Sequence, residues 1–251
     1  MDKVNVMDLS VDVLNHKMLS QKIEEYFQEE RVHSIIMLTD EVLEKAADDE
    51  KYHGMLSNFS MCLPAAEEVL VDCHLDFFKN RGILTDYQSF YAVLECLEKI
   101  EKTIYVVGND LKQMEQFQQF CEQSYGKLKI KGVCYKDDNM KDETIVNDIN
   151  TILPDAIIVA MSSPEQEKWM TEQGQRLAVK LCIGTGSALP DIISCCDSTK
   201  KKRRKWKLYR QLENAKRNIQ KFWHRRIMKE EYEYYIYKRE KAQLKSRFRT
   251  R

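Results

Sequence analysis

Three short segments place residues able to do chemistry directly after apolar, β-branched runs. The first, Ser162-Ser-Pro-Glu-Gln-Glu-Lys-Trp169, follows the run Ala156–Ala160. Serine before proline, with Gln166 three residues beyond Ser163, is the pattern of a capping-box helix start. Such a start serves a helix by itself, and it also offers helix N–H groups and the Gln166 amide to an anionic or polar ligand. The second, Ile183-Gly-Thr-Gly-Ser187, again follows an apolar run. Glycines there let backbone amides approach a phosphate closely. Neither a third glycine nor Gly-Lys-Ser follows, so a tight strand-to-helix turn accounts for the segment equally well. Gly108-Asn-Asp110 is a third, weaker turn of the same kind.

Metal chemistry has no such pattern. The eight cysteines (Cys62, Cys73, Cys96, Cys121, Cys134, Cys182, Cys195 and Cys196) include no pair spaced for chelation, and the five histidines are scattered. Reduced, buried, structural thiols are the expectation, with no metal and no cofactor.

The elements that must position these segments are read from periodicity. Residues 34–38, 103–107, 127–131, 156–160 and 179–183 are expected as strands. Patterns of helical period lie near 16–30, 41–57, 86–101, 111–125, 141–152 and 164–176. Strand–helix alternation predicts an α/β, Rossmann-like fold, a mostly parallel sheet with helices on both faces. Such sheets bind ligands beyond the carboxyl ends of their strands, where the three segments fall.

The formal net charge is zero, but the charges are sorted along the chain. Residues 200–251 hold 21 basic and 5 acidic residues, and the preceding 199 carry the opposite excess of 16. A uniformly mixed domain is excluded, and so, with 43% apolar residues, is disorder throughout. A domain over 1–199 and a basic, helical, amphipathic appendage over 200–251 are expected. In the appendage Trp206, Tyr209, Leu212, Ile219, Phe222, Trp223 and Ile227 form one apolar stripe edged by Lys and Arg. This suits an interfacial helix on an anionic membrane, each cation there contributing about 1 kcal/mol. Nucleic acid and the chain's own acidic domain are the rival partners for that stripe. The N-terminus lacks the apolar stretch of a signal peptide, and no run approaches the ~20 residues of a membrane span. A cytoplasmic location with peripheral membrane contact is therefore expected.

Taken in order, the segments resemble the WecG/TagA/CpsF glycosyltransferases. Ser163-Pro-Glu-Gln-Glu-Lys-Trp169 is similar to that family's Ser-Pro-Lys-Gln-Glu-Lys-Trp signature. Val4-Asn-Val with Val11-Asp12 is similar to its opening hairpin, and Leu38 with Glu41 to its Thr-Leu-Asn-Pro-Glu segment. Leu63-Pro64 resembles its Leu-Pro-Asp-Gly segment, and Arg81 with Asp86 its Arg-Val-Thr-Gly-Ile-Asp segment. Leu208-Tyr-Arg210 with Lys216-Arg217 resembles its C-terminal appendage. The resemblance implies transfer of an N-acetylhexosamine, such as N-acetylmannosamine, from a UDP-sugar to a polyprenyl-diphosphate-linked glycan. The setting would be cell-surface polysaccharide synthesis, on the inner face of the membrane and without nucleic acid. It places Thr39, Arg81, Asp86, Gln166, Glu167, Gly184, Gly186 and Ser187 around the donor, with Arg210 and Arg217 neutralising the leaving diphosphate.

The departures fall in the implied cleft. The family's Leu-Pro-Asp-Gly carries its proposed general base, and here the segment is Leu63-Pro-Ala-Ala66, so Ala65 stands at the base position. Losing a general base costs about 10²–10⁴-fold in rate. Met37-Leu-Thr-Asp40 replaces Thr-Leu-Asn-Pro, and Gly186-Ser-Ala-Leu-Pro-Asp191 displaces an acidic residue by one. Asp40, Glu67 and Glu68 are the candidate substitutes for the base. A catalytically inactive paralogue, binding a sugar nucleotide or serving as partner subunit to an active homologue or a second copy, is the alternative reading.

Overall fold

The computed structural model of the chain describes residues 2–65, 69–70, 82–84, 87–137 and 139–197. Two compact units divide the chain, Met1–Ser194 and Cys195–Arg251, and the site discussed below lies in the first. The expected appendage over 200–251 lies outside the described residues, as do Glu67, Glu68, Arg81, Asp86, Arg210 and Arg217.

A hairpin opens the chain, β1 (Asp2–Val6) and β2 (Leu9–Val13), turned through Met7 and Asp8 at positive φ. Then follow α1 (His16–Gln28), β3 (His33–Leu38), α2 (Asp40–Asp48), α3 (Glu50–Leu56), β4 (Met61–Pro64) and α4 (Gln88–Lys99). The second half runs β5 (Thr103–Gly108), α5 (Leu111–Ser124), β6 (Lys129–Tyr135), α6 (Asp142–Ile152), β7 (Ala156–Ala160), α7 (Glu165–Gln173), β8 (Leu181–Gly184) and α8 (Leu189–Asp197). Strands β3 to β8 form one six-stranded sheet in the order β4-β3-β8-β7-β5-β6, every pair parallel. The expected α/β, Rossmann-like architecture is what the chain adopts.

The central strands are near-continuous apolar runs because both their faces are covered. Ile36, Gly184, Val159 and Val107 lie in one row across the sheet by register. That face is packed by the hairpin with α2 and α3 at one end, and by α6 and α7 at the other. Gly108, one residue on from Val107, faces the opposite way and meets Met114 of α5. On that side Phe90 of α4 packs on Phe117 of α5, and α4 in turn meets α1 through Glu95 and His16, 3.0 Å apart. Each Ile, Leu or Val fully buried this way contributes about 1.5–3 kcal/mol. On the side of β4 away from β3, Asp12 of the hairpin accepts the Cys62 N–H at 3.0 Å, satisfying a backbone donor that no described strand meets.

Several elements differ from their expected bounds. The helical stretch 41–57 is two helices, broken at Asp49, which ends α2 and whose carboxylate takes the N–H groups of Lys51 and Tyr52 that open α3. The strand expected at 127–131 begins later and runs to Tyr135. Residues 125–128 instead make a turn through Gly126, closed by Leu128 N–H on Tyr125 O. The helix expected to reach 176 ends at Gln173, and residues 174–176 tighten into one 3₁₀ turn. Strand β4 was not expected as a strand. Among the described cysteines Cys62, Cys96, Cys121 and Cys182 are buried free thiols, but Cys134 is half-buried and Cys195 is exposed. Burial, followed by the Asp12 charge, pushes the Cys62 thiol up to about 12. Among the described residues no helix is long and apolar enough to cross a membrane.

Candidate active site

Because the six strands run the same way, the turns after β3, β4, β7 and β8 meet at one edge of the sheet. Thr39 follows β3, Ala65 follows β4, Ser162 to Pro164 follow β7, and Thr185 to Ser187 follow β8. Of the residues expected around a ligand, Thr39, Gln166, Glu167, Gly184, Gly186 and Ser187 are brought together here.

The centre is a buried polar network joining two of the sequence segments. Gln166 is fully buried, and its Oε1 accepts the Gly186 N–H at 2.6 Å. Its Nε2 donates to Glu167 Oε1 at 3.0 Å, and Ser163 Oγ donates to the same oxygen at 3.0 Å. Glu167 is also fully buried, and its Oε2 makes no well-formed hydrogen bond among the described residues. Tyr52 Oη of α3 is buried beside Glu167 and Ser163, likewise without a well-formed hydrogen bond. Burial first, and then the Glu167 carboxylate, push the Tyr52 phenol well above its ordinary range.

Glycine is required at both ends of this contact. Gly186 has φ +58°, a backbone region that side chains other than glycine rarely enter. Gly184 lies so close to α7 that an added Cβ would stand 2.9 Å from Gln166 Cδ and 2.8 Å from Met170 Sδ. The turn's amides are themselves largely engaged: Thr185 N–H donates to Val159 O, Gly186 N–H to Gln166 Oε1, and Ala188 N–H to Thr185 O.

The capping box expected at Ser163 is not formed. Helix α7 begins at Glu165 after Pro164, with no side-chain cap, because Ser163 Oγ is drawn to Glu167 and Gln166 reaches across to Gly186. The Ser163–Pro164 peptide is cis. The turn after β3 does carry a side-chain cap: Thr39 Oγ1 accepts the Val42 N–H at 3.3 Å, so the expected ligand residue also starts α2.

A second cluster faces solvent. Glu41 accepts Lys45 Nζ at 2.7 Å on one oxygen and Ser187 Oγ at 2.8 Å on the other. Lys45 Nζ also donates to the Ser163 carbonyl, so this cluster ties together the turns after β3, β7 and β8. The Lys45 hydrogen bond, then that of Ser187, hold the Glu41 carboxyl below its ordinary range. Neither Lys45 nor Tyr52 was anticipated, and Glu41 only as part of a segment. The Glu41–Lys45 spacing of four on one helix was the available signal.

Ala65 is buried, its N–H donating to Leu38 O at 2.9 Å. Glu41 turns toward β8, away from the β4 side where Ala65 lies, and Asp40 is the exposed first residue of α2. Among the described residues no group of three or more His, Cys, Asp or Glu could hold a metal ion.

Over 174 residues the chain is 24% identical to an N-acetylglucosaminyldiphosphoundecaprenol N-acetyl-beta-D-mannosaminyltransferase of Bacillus subtilis (strain 168). That alignment covers 68% of this chain and 67% of that protein. Residues 4–242 match the glycosyl transferase WecG/TagA/CpsF family, a span that takes in most of the hairpin, the whole parallel sheet and the joined turns at its carboxyl edge. The chain therefore belongs to the WecG/TagA/CpsF family of glycosyl transferases.

Proposed function

We propose that the chain binds a UDP-linked N-acetylhexosamine, N-acetylmannosamine or a close relative, over the β8–α8 turn. It transfers that sugar to polyprenyl-diphosphate-linked N-acetylglucosamine in cell-surface polysaccharide synthesis. The observation that carries this reading is the bond from Gln166 to Gly186, which joins the family's signature segment to the glycine turn at the carboxyl ends of two central strands. The Bacillus subtilis relative's name specifies the same kind of acceptor and donor sugar. The reading places the protein at the inner face of the membrane, held peripherally by residues 200–251, with Arg210 and Arg217 at the diphosphate.

One observation favours a second reading, a catalytically silent sugar-nucleotide-binding or partner subunit. By the sequence resemblance Ala65 stands at the position of the family's base, and Glu41, a carboxylate at the joined turns, is engaged by Lys45 and Ser187. Turnover of a UDP-N-acetylhexosamine with a polyprenyl-diphosphate-linked acceptor decides between them. Transfer by the native chain supports the first reading. Nucleotide binding by calorimetry without transfer supports the second. Ala65→Asp should raise transfer about 10²-fold or more if the missing base is the defect. An unchanged rate overturns that explanation. Liposome flotation of the full chain, compared with a chain ending at Thr199, tests the membrane role, and equal flotation refutes it.

A further inference from the structure

Donor and acceptor inventory fixes the Gln166 amide in one orientation. A backbone N–H can only donate, so the group facing Gly186 must be the Gln166 oxygen, as the 2.6 Å contact has it. With its oxygen on Gly186, the amide turns its nitrogen to Glu167, donating to Oε1 at 3.0 Å. Either neighbour alone tolerates some movement of the amide, but the two together allow a single arrangement. Ser163 Oγ donates to the same Glu167 oxygen and holds that carboxylate in place from the other side.

The cost of this arrangement is visible. Glu167 is wholly buried, and its Oε2 makes no well-formed hydrogen bond among the described residues, its neighbour being the Tyr52 hydroxyl. A buried carboxylate oxygen without a partner is destabilising, and an apolar side chain of similar volume would remove that penalty. A carboxylate kept there serves something other than packing. What it reaches is the Gln166 amide, which grips the turn carrying Ser187, whose hydroxyl faces solvent on Glu41. The line of contact runs from the buried interior of α7 to the rim of the cleft.

We propose that Glu167 is a positioning residue: it sets the orientation of the Gln166 amide and, through it, the conformation of the Gly186–Ser187 turn on which the donor's diphosphate rests. Glu167 touches no ligand itself. The claim about the diphosphate rests on the proposed function, while the claim about the turn does not.

The test uses the full chain. Glu167→Met keeps the volume and removes the acceptor, and Glu167→Gln restores an acceptor oxygen at the same reach. Hydrogen exchange of the Gly186 amide, read without ligand, should be about tenfold or more faster in Glu167→Met than in the parent. It should be as fast in Gln166→Leu, no faster in the double variant, and returned to the parent rate in Glu167→Gln. Exchange in Glu167→Met equal to the parent, or speeding further in the double variant, overturns the proposal. If Glu167→Met does not fold, Glu167→Asp withdraws the carboxylate by one methylene and should give the same fast exchange. UDP binding by calorimetry is the second arm. An affinity loss of about tenfold in each single variant, not multiplied in the double, shows the turn acting on the ligand. The predicted exchange pattern with no UDP binding by the parent at millimolar ligand leaves the positioning role standing and removes the nucleotide reading instead.

Discussion

Gly184→Ala is the substitution whose consequences the structure makes most specific. The added Cβ would stand 2.8 Å from Ile36 Cδ1, 2.8 Å from Met170 Sδ and 2.9 Å from Gln166 Cδ. Contacts this short force something to move. Ile36 Cδ1 and Met170 Sδ lie toward the ends of flexible side chains, though both residues are buried. Gln166 cannot yield so easily, because its amide is held at one end by Gly186 and at the other by Glu167. Overpacking a filled core costs about 1–3 kcal/mol. Pulling the Gln166 oxygen off the buried Gly186 N–H adds a cost of about 1–3 kcal/mol for the unsatisfied donor. The total, about 2–6 kcal/mol, is a large part of the about 5–15 kcal/mol by which a domain is stable. Urea unfolding followed by circular dichroism measures it as a lowered midpoint at constant slope. Ile36→Val removes the Cδ1 contact, so the double variant should recover part of the loss. The part due to Gln166 should remain. A Gly184→Ala protein within about 0.5 kcal/mol of the parent, or one fully restored by Ile36→Val, would refute the assignment of Gln166 as the rigid partner.

Two further predictions test the frame around the site. Thr39→Ala should cost about 1 kcal/mol in urea unfolding by removing the cap on Val42 N–H, with Thr39→Ser close to the parent; equal stability of all three would show that the cap is idle. His33, stacked on Tyr26 at 3.8 Å, is fully buried, and burial holds its imidazole below the ordinary 6.5, with Glu29 pulling the other way. The unfolded chain therefore takes up a proton that the folded chain resists, so stability is full above about pH 6.5 and falls as pH drops below it. His33→Phe should flatten that part of the urea-midpoint profile, and an unchanged slope between about pH 7.5 and 5.5 would sink the assignment.

The strands that lie inside the sheet were legible because being buried on both faces leaves an unbroken apolar run, as in Ala156–Ala160. Edge strands were legible only in part. Strand β6 alternates lysines with half-buried residues over Lys129–Ile130–Lys131–Gly132, and its true span was masked by Leu128, which is buried in a turn rather than in the strand. Strand β4 is only four residues long, and its Met-Cys-Leu-Pro sequence ends in a residue that strands tolerate only at their margins. The site divided in the same way. Gln166 and the glycines of 184–186 were legible as separate segments, one after each of two strands. Nothing in their spacing told that the amide of one closes on the backbone of the other, since that contact depends on β7 and β8 being neighbours. Lys45 and Tyr52 were missed because an ion pair on a helix surface and a Tyr on an apolar face look ordinary until the helices are set against α7.

The two parts of the candidate cleft answer to different physical requirements, and the chain treats them differently. The Gln166–Glu167–Gly186 network buries two polar side chains fully and leaves one carboxylate oxygen without a well-formed hydrogen bond among the described residues. The position to which the sequence resemblance assigns the base, Ala65 at the end of β4, holds a methyl group that is 1% exposed. On the proposed reading, the cleft keeps a donor site while proton removal is supplied by another group or is not needed. A carboxylate introduced at buried Ala65 would lose solvation, so its pKa would rise above the ordinary 3.9 of aspartate and its base form would appear only above that raised value. Rescue by Ala65→Asp must therefore strengthen with pH, whereas an effect that came only from reshaping the turn after β4 would be indifferent to it.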